Sequence, residues 1–115
     1  MKFYKSDGKE DVSPESPKEV TLKIAFTEID KIPLVDDVDD SFIAFVNQKE
    51  ETIQFVRFEE DDWVVDVPIF ENGIFSYSLG DEHLTTEKVK DIVKKFSLNE
   101  DWRSSLNLTK LEHTH

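Results

Sequence analysis

Three groups of side chains combine types and spacings that could do chemistry. Glu59, Glu60, Asp61 and Asp62 are consecutive carboxylates in FEEDDWVVDVPIF, residues 58 to 70. Asp36, Asp37, Asp39 and Asp40 crowd VDDVDDS, residues 35 to 41. His83 sits in GDEHLTT, beside Asp81 and Glu82 and just before Thr85 and Thr86. Clustered carboxylates can hold a hard cation or orient a basic partner. An imidazole beside a carboxylate and a hydroxyl can take a proton.

Each group has a plainer reading. A calcium loop of the EF-hand kind needs ligands at alternate positions, a central Gly and a bidentate Glu at position twelve, and neither acidic run has that spacing. Weak calcium association is the most either run suggests. Zinc lacks the Cys or paired His it prefers, since the chain has no cysteine. A loop histidine ahead of a helix is ordinarily solvated. No nucleophile elbow, phosphate loop or metalloprotease motif occurs. The expectation is a non-enzymatic chain with no catalytic residues, no metal site and no cofactor.

The elements that must position these groups follow from periodicity. Residues 1–17 are polar, with Gly8, Pro14 and Pro17, and read as a flexible arm. Val20, Leu22, Ile24 and Phe26 alternate with Thr21, Lys23 and Ala25, the period of a first strand. Residues 27–41 contain Pro33 and paired aspartates, and read as a loop with one helical turn at most. SFIAFVN (41–47), TIQFVRFEE (52–60), WVVDVPIF (63–70) and IFSYSL (74–79) are rich in β-formers and separated by short polar joins, so they predict antiparallel neighbours. Asn72-Gly73 is the signal of a tight hairpin, and Glu60 to Asp62 fall where another must reverse. The acidic run is therefore first of all a solvated turn.

Thr85 or Thr86 can cap a helix with Val89, Ile92, Val93 and Phe96 on one face. Asn99 can cap a further short turn through Trp102 and Leu106. The predicted fold is α+β: a five-strand, largely antiparallel meander sheet with a C-terminal helix packed on one face. Residues 18–110 form a single domain, and 111–115, LEHTH, read as a tag remnant, which removes His113 and His115 from any site.

Both faces of the predicted sheet are apolar. Trp63, Val65, Val67 and Ile69 point one way and Val64, Asp66 and Phe70 the other. Ile53 and Phe55 oppose Val56 and Phe58 unless a bulge intervenes near Arg57. The second face is closed by residues 27–41 and the C-terminal turn, or by a partner. Pro68 belongs at a bulge or beyond the paired region.

Charge bounds the partners. With 26 acidic against 14 basic residues, the net charge is −12, unsuited to phosphate contacts, so no nucleic acid is expected. A basic protein is the partner such a surface would steer. No stretch is long and apolar enough for a membrane span and the N-terminus lacks the apolar run of a signal peptide, so the chain reads as cytoplasmic, as a monomer or homodimer. The eight carboxylates of the two runs are the candidate partner-binding residues. An acidic mimic of nucleic acid and a weak calcium-binding domain are the alternatives.

The run FIAFVNQKEETIQFVRFEEDDWVVDVPI followed by LTTEKVKDIVKKFSLNEDWRSSLNL resembles small bacterial immunity-type proteins associated with polymorphic toxins, including the broad Imm1-like group. The likeness lies in consecutive strands, a Thr-Thr-Glu helix start and a Trp in a short terminal turn, over about residues 42–108. It implies a non-enzymatic inhibitor whose acidic groups complement a basic active site. The acidic N-terminal arm does not belong to that pattern.

Overall fold

The computed structural model describes residues 1–111. It is an α+β fold built on one antiparallel sheet of seven strands, not five. In chain order these are β1 (Lys2–Ser6), β2 (Lys18–Glu19), helix α1 (Leu22–Lys31), β3 (Phe42–Val46), β4 (Thr52–Glu59), β5 (Asp62–Glu71), β6 (Ile74–Leu84), helix α2 (Thr86–Ser97), a 3-10 turn at Arg103–Ser105, and β7 (Thr109–Lys110). Across the sheet the order is β2-β1-β3-β4-β5-β6-β7, so β3 to β6 form the expected meander.

Two expectations fail at the N-terminal end. Residues 2–6, expected in a flexible arm, form β1, which pairs with β3 from Lys2↔Val46 to Ser6↔Phe42. Phe3 and Lys5 turn inward and are buried. A lysine at an inward position hides the alternation from a hydrophobicity reading, although its stem packs like an aliphatic chain. Residues 20–26, expected as a strand, begin helix α1. The same apolar residues also satisfy helical spacing, with Leu22, Ala25, Ile29 and Ile32 along one side, and Ala25 and Ile29 are fully buried. Thr21 settles the contest locally: its hydroxyl accepts the Ile24 N–H at 3.2 Å, an N-cap. Ile24, inward in a strand reading, is 50% exposed. Pro33 then ends the helix, because the residue before proline is driven to extended backbone, as Ile32 is.

The rest follows the sequence closely. Thr85 caps α2 by accepting the Lys88 N–H at 3.1 Å, and Val89, Ile92, Val93 and Phe96 are fully buried. They join one core cluster with Ile43 and Phe45 of β3, Ile53 and Phe55 of β4, Trp63, Val65 and Val67 of β5, and Ala25 and Ile29 of α1. Asn99 does not cap the 3-10 turn; Asp101, just ahead of it, braces its start by accepting the Ser104 N–H. Asn99 instead takes the left-handed backbone just past α2 (φ 57°), a usual helix ending. Trp102 is buried edge-on to Phe96, with ring centroids 5.4 Å apart. Leu111 sits at the β7 end, its N–H donated to Ser78; the remainder of the expected tag remnant lies outside the described residues.

The opposite face of the sheet carries no helix-derived core residues. Tyr4, Phe42, Val56 and Val64 are half-buried there, while Ala44, between Tyr4 and Gln54 in the register, is fully covered. Tyr4 meets Phe42 edge to face at 5.8 Å. The expected internal closure of this face by residues 27–41 is incomplete: Phe58 at its upper end is 45% exposed and Phe70 at its lower end 58%. Residues 22–31 form α1 instead, which buries Ala25 and Ile29 in the core on the other side of the sheet.

Candidate functional site

The acidic join between β4 and β5 is first a structural turn. A register shift between Arg57 and Glu59 marks a bulge, and Glu60 and Asp61 make the reversal. Arg57 fastens it: its Nε and Nη2 donate to the Glu60 carbonyl at 3.0 and 2.6 Å, its Nη1 donates to the Ile32 carbonyl at 3.1 Å, and its guanidinium lies 5.1 Å from the Trp63 ring centroid. One planar fork thus ties the turn to the exposed carbonyls at the end of α1, a task for which arginine geometry suits better than lysine. Asp61 reaches the other helix, accepting the Thr86 N–H at 2.7 Å. That backbone hydrogen bond, with a second to the Thr86 hydroxyl, lowers the Asp61 pKa. Trp63 is fully buried and donates its indole N–H to Thr86 Oγ1 at 2.9 Å. Four residues around the turn therefore fix both helices to the sheet.

The carboxylates left over face solvent. Glu59 and Glu60 are exposed, and Asp62 is half-buried. Asp62 lies 3.3 Å from Nδ1 of His83, which is 81% exposed in its side chain and holds a left-handed backbone (φ 61°). The second run arrives at the same end of the molecule because the Val35 N–H donates to the Arg57 carbonyl at 2.8 Å. Asp36, Glu59, Asp62, Glu82 and His83 rim a depression of about 350 Å³ whose apolar lining is Phe58 and Val64. Asp37, Asp30 and Glu60 line a second one of about 380 Å³ around Arg57. Of the sequence candidates, then, Asp36, Asp37, Glu59, Glu60 and Asp62 are brought together, Asp61 is committed to the helix, and Asp39 and Asp40 are exposed but line neither depression.

Sequence reasoning missed Phe58, Glu82 and Arg57 as members of this end. A signal for Phe58 was present, an aromatic on the non-core parity of β4 directly before the acidic run, but the bulge made its direction ambiguous. The geometry does not assemble a metal centre: among the described residues no three His, Asp or Glu groups converge as ligands for a cation. His83 has Asp62 and Glu82 near it but shares its depression with no hydroxyl or amine nucleophile. None of the helices among the described residues is long and apolar enough to cross a membrane. Comparison of the chain with protein-family models, with curated proteins and with solved structures gives no match.

Proposed function

We propose that the chain is a non-enzymatic binding module for a basic protein, and that it engages that partner through the β4–β5 end. The observation that carries this reading is the convergence of two separate acidic segments around one exposed aromatic, Phe58. An apolar anchor ringed by carboxylates suits a partner presenting an aliphatic or aromatic side chain among Lys and Arg, with the anchor supplying affinity and the rim supplying orientation and on-rate. The net charge of −12 steers the encounter in the same direction. Helix α2, whose Val89, Ile92, Val93 and Phe96 are buried in the core, meets this end through Thr86 and leaves Phe58 45% exposed.

An immunity-like role, inhibition of a basic toxin by occupation of its active site, is one form of this function, and the resemblance of residues 42–108 suggests it. A cytoplasmic setting fits such a role.

The test is affinity capture by the full chain, with mass spectrometry of what is bound. The comparison variant replaces Asp36, Asp37, Asp39, Asp40, Glu59, Glu60 and Asp62 with their amides and spares Asp61, whose carboxylate holds α2. Wild type should retain proteins of high isoelectric point, and the variant and high salt should release them. Unchanged capture by the amide variant would overturn the proposal. Competition by duplex DNA for the captured protein would move the reading to a nucleic-acid mimic.

A further inference from the structure

We propose that the tip of the β5–β6 hairpin is a self-association surface, through which two copies of this chain form a weak two-fold dimer. The β4 register against β5 ends at Gln54↔Asp66, and β7 reaches only Leu79 and Gly80 of β6. Among the described residues, 68–71 and 74–77 therefore pair only with each other, as a two-strand arm standing past the body of the sheet. Its reversal is rigid: Asn72 and Gly73 take φ of 54° and 78°, the positive pair that a tight two-residue hairpin requires.

The arm ends in an apolar knob. Phe70, Ile74 and Phe75 are 58%, 72% and 49% exposed; Phe70 and Phe75 are cross-strand partners on one face of the arm, and Ile74, opposite Glu71, lies on the other. The two rings hold each other edge to face at 6.1 Å, so the knob is formed before any partner arrives.

Charge selects the occupant. Residues 67–79 contain one charged side chain, Glu71, in a chain of net charge −12. A basic partner finds almost nothing to pair with here, and an anionic lipid surface is repelled by the rest of the molecule. A second copy is different, because an apolar knob is complementary to itself about a two-fold axis. Repulsion between two such polyanions is the obstacle, and the position of the tip reduces it. β5 runs ten residues from the acidic turn to the hairpin, so the acidic end lies about 30 Å away, nearly four Debye lengths at physiological salt. The edges of the arm differ too: Pro68 lies on the β5 side, whereas the β6 edge from Ile74 to Ser76 carries neither proline nor lysine, the residues that usually guard an exposed strand, and Lys110 lies over the Tyr77 ring at its base, 5.1 Å from the centroid. The β6 edge is therefore the side on which the copies meet. The two rings offer roughly 200–250 Å² per copy, far less than a permanent dimer buries, so the association is weak and concentration-dependent.

Sedimentation velocity on the full chain from about 5 to 500 µM, at physiological and at raised salt, tests this. The expected result is a dimer fraction that grows with concentration and with salt. Ile74→Lys together with Phe75→Lys should weaken association at least about tenfold. Phe70→Ser should also weaken it, and this variant leaves the strand edge intact should the lysines disturb the hairpin. Ile24→Lys, on the exposed side of α1 at 50% exposure, should leave the dimer unchanged. A monomer at every concentration would overturn the proposal, as would a dimer that survives both hairpin variants. Co-sedimentation of the monomer with neutral phosphatidylcholine vesicles, lost in the double-lysine variant, would reassign the knob to lipid and overturn it equally.

Discussion

Replacing Lys5 with methionine removes one cation from between two carboxylates, and the structure determines how much that should cost and at which pH. Lys5 is 6% exposed in its side chain and donates to Asp7 at 2.9 Å and to Glu28 of α1 at 3.0 Å. Burial alone would lower its pKa, but the hydrogen bonds and charges of Asp7 and Glu28 outweigh it and raise the value. Methionine fills a similar volume, so the cavity contribution is small. What remains is a pair of carboxylates, 13% and 17% exposed, left without their cation. Breaking a fully buried pair costs 3–5 kcal/mol, and partial exposure places this one near the lower end, about 3 kcal/mol. For a chain of this size that lowers the melting temperature by roughly 10–15 °C.

The pH dependence separates this account from lost packing. Burial tends to raise the Asp7 pKa, but the Glu10 N–H, the Lys5 ammonium and the Lys9 N–H together bring it down to about 2. A carboxyl depressed in the folded state adds stability above its unfolded pKa of 3.8 and loses it as pH falls through the folded value. Urea unfolding followed by fluorescence of the buried Trp63 and Trp102 should show the full difference between wild type and Lys5→Met at pH 7. The gap should narrow by about 1–2 kcal/mol near pH 2 to 3, after allowance for solvent screening. Lys5, raised in the folded state, contributes fully below its ordinary value of 10.5, so the gap should also close in strong alkali as pH passes the folded value. An equal gap at pH 7 and in acid would refute the electrostatic reasoning and leave only packing.

Asp61→Ala should lower the melting temperature at neutral pH by removing the acceptor of the Thr86 N–H; because the Asp61 pKa is lowered in the fold, the difference from wild type should fade as pH drops through the carboxyl range in a thermal melt series. Arg57→Lys should cost about 1–2 kcal/mol in urea unfolding, since an ammonium cannot reach the Glu60 and Ile32 carbonyls together while lying over Trp63. Gly73→Ala should destabilise by about 1 kcal/mol through backbone strain alone, its φ being 78° with nothing within 4 Å of the new methyl group. Gly80→Ala meets a contact instead: its methyl group would lie 2.7 to 2.9 Å from Leu111 side-chain carbons, so it should displace Leu111 from the sheet, which methyl chemical shifts would report.

The central meander was legible because β3 to β6 obey the rules that operate over short range: alternation, brief polar joins, and Asn-Gly at the tightest reversal. Helix α2 was legible because Thr85 and four apolar residues at helical spacing agree. Residues 20–26 misled because Val20, Leu22, Ile24 and Phe26 fit a period of two while Leu22, Ala25, Ile29 and Ile32 fit a helix, and only the cap at Thr21 decides between them. β1 was hidden since its inward positions are Phe3 and Lys5, and a buried lysine becomes intelligible only when Glu28 is known to stand over it. The two-residue strands β2 and β7 carry no periodic signal at all. At the candidate site the carboxylates themselves were conspicuous, but their convergence was not. It depends on the Val35–Arg57 backbone contact across residues far apart in sequence, and no local pattern encodes it.

Arg57 explains how so acidic an end can also be a well-held part of the fold. The turn places Glu59 to Asp62 close together, and residues 35–41 add four more carboxylates nearby, an arrangement that repels itself and that an unfolded chain would relax. Against this, the Arg57 guanidinium bonds to the turn's Glu60 carbonyl and the helix-ending Ile32 carbonyl, its own carbonyl accepts the Val35 N–H, and Asp61 spends its charge on the start of α2, where a negative group meets the positive end of the helix dipole. The anchoring therefore uses backbone oxygens and one aspartate, and leaves Glu59, Asp62 and Asp36 unpaired by lysine or arginine side chains among the described residues. Among the lysines of α2, Lys90 pairs instead with Asp30 and Lys95 with Asp91 of its own helix. Arg57 thus holds the turn through backbone carbonyls and does not engage the side chains of Glu59, Asp62 or Asp36.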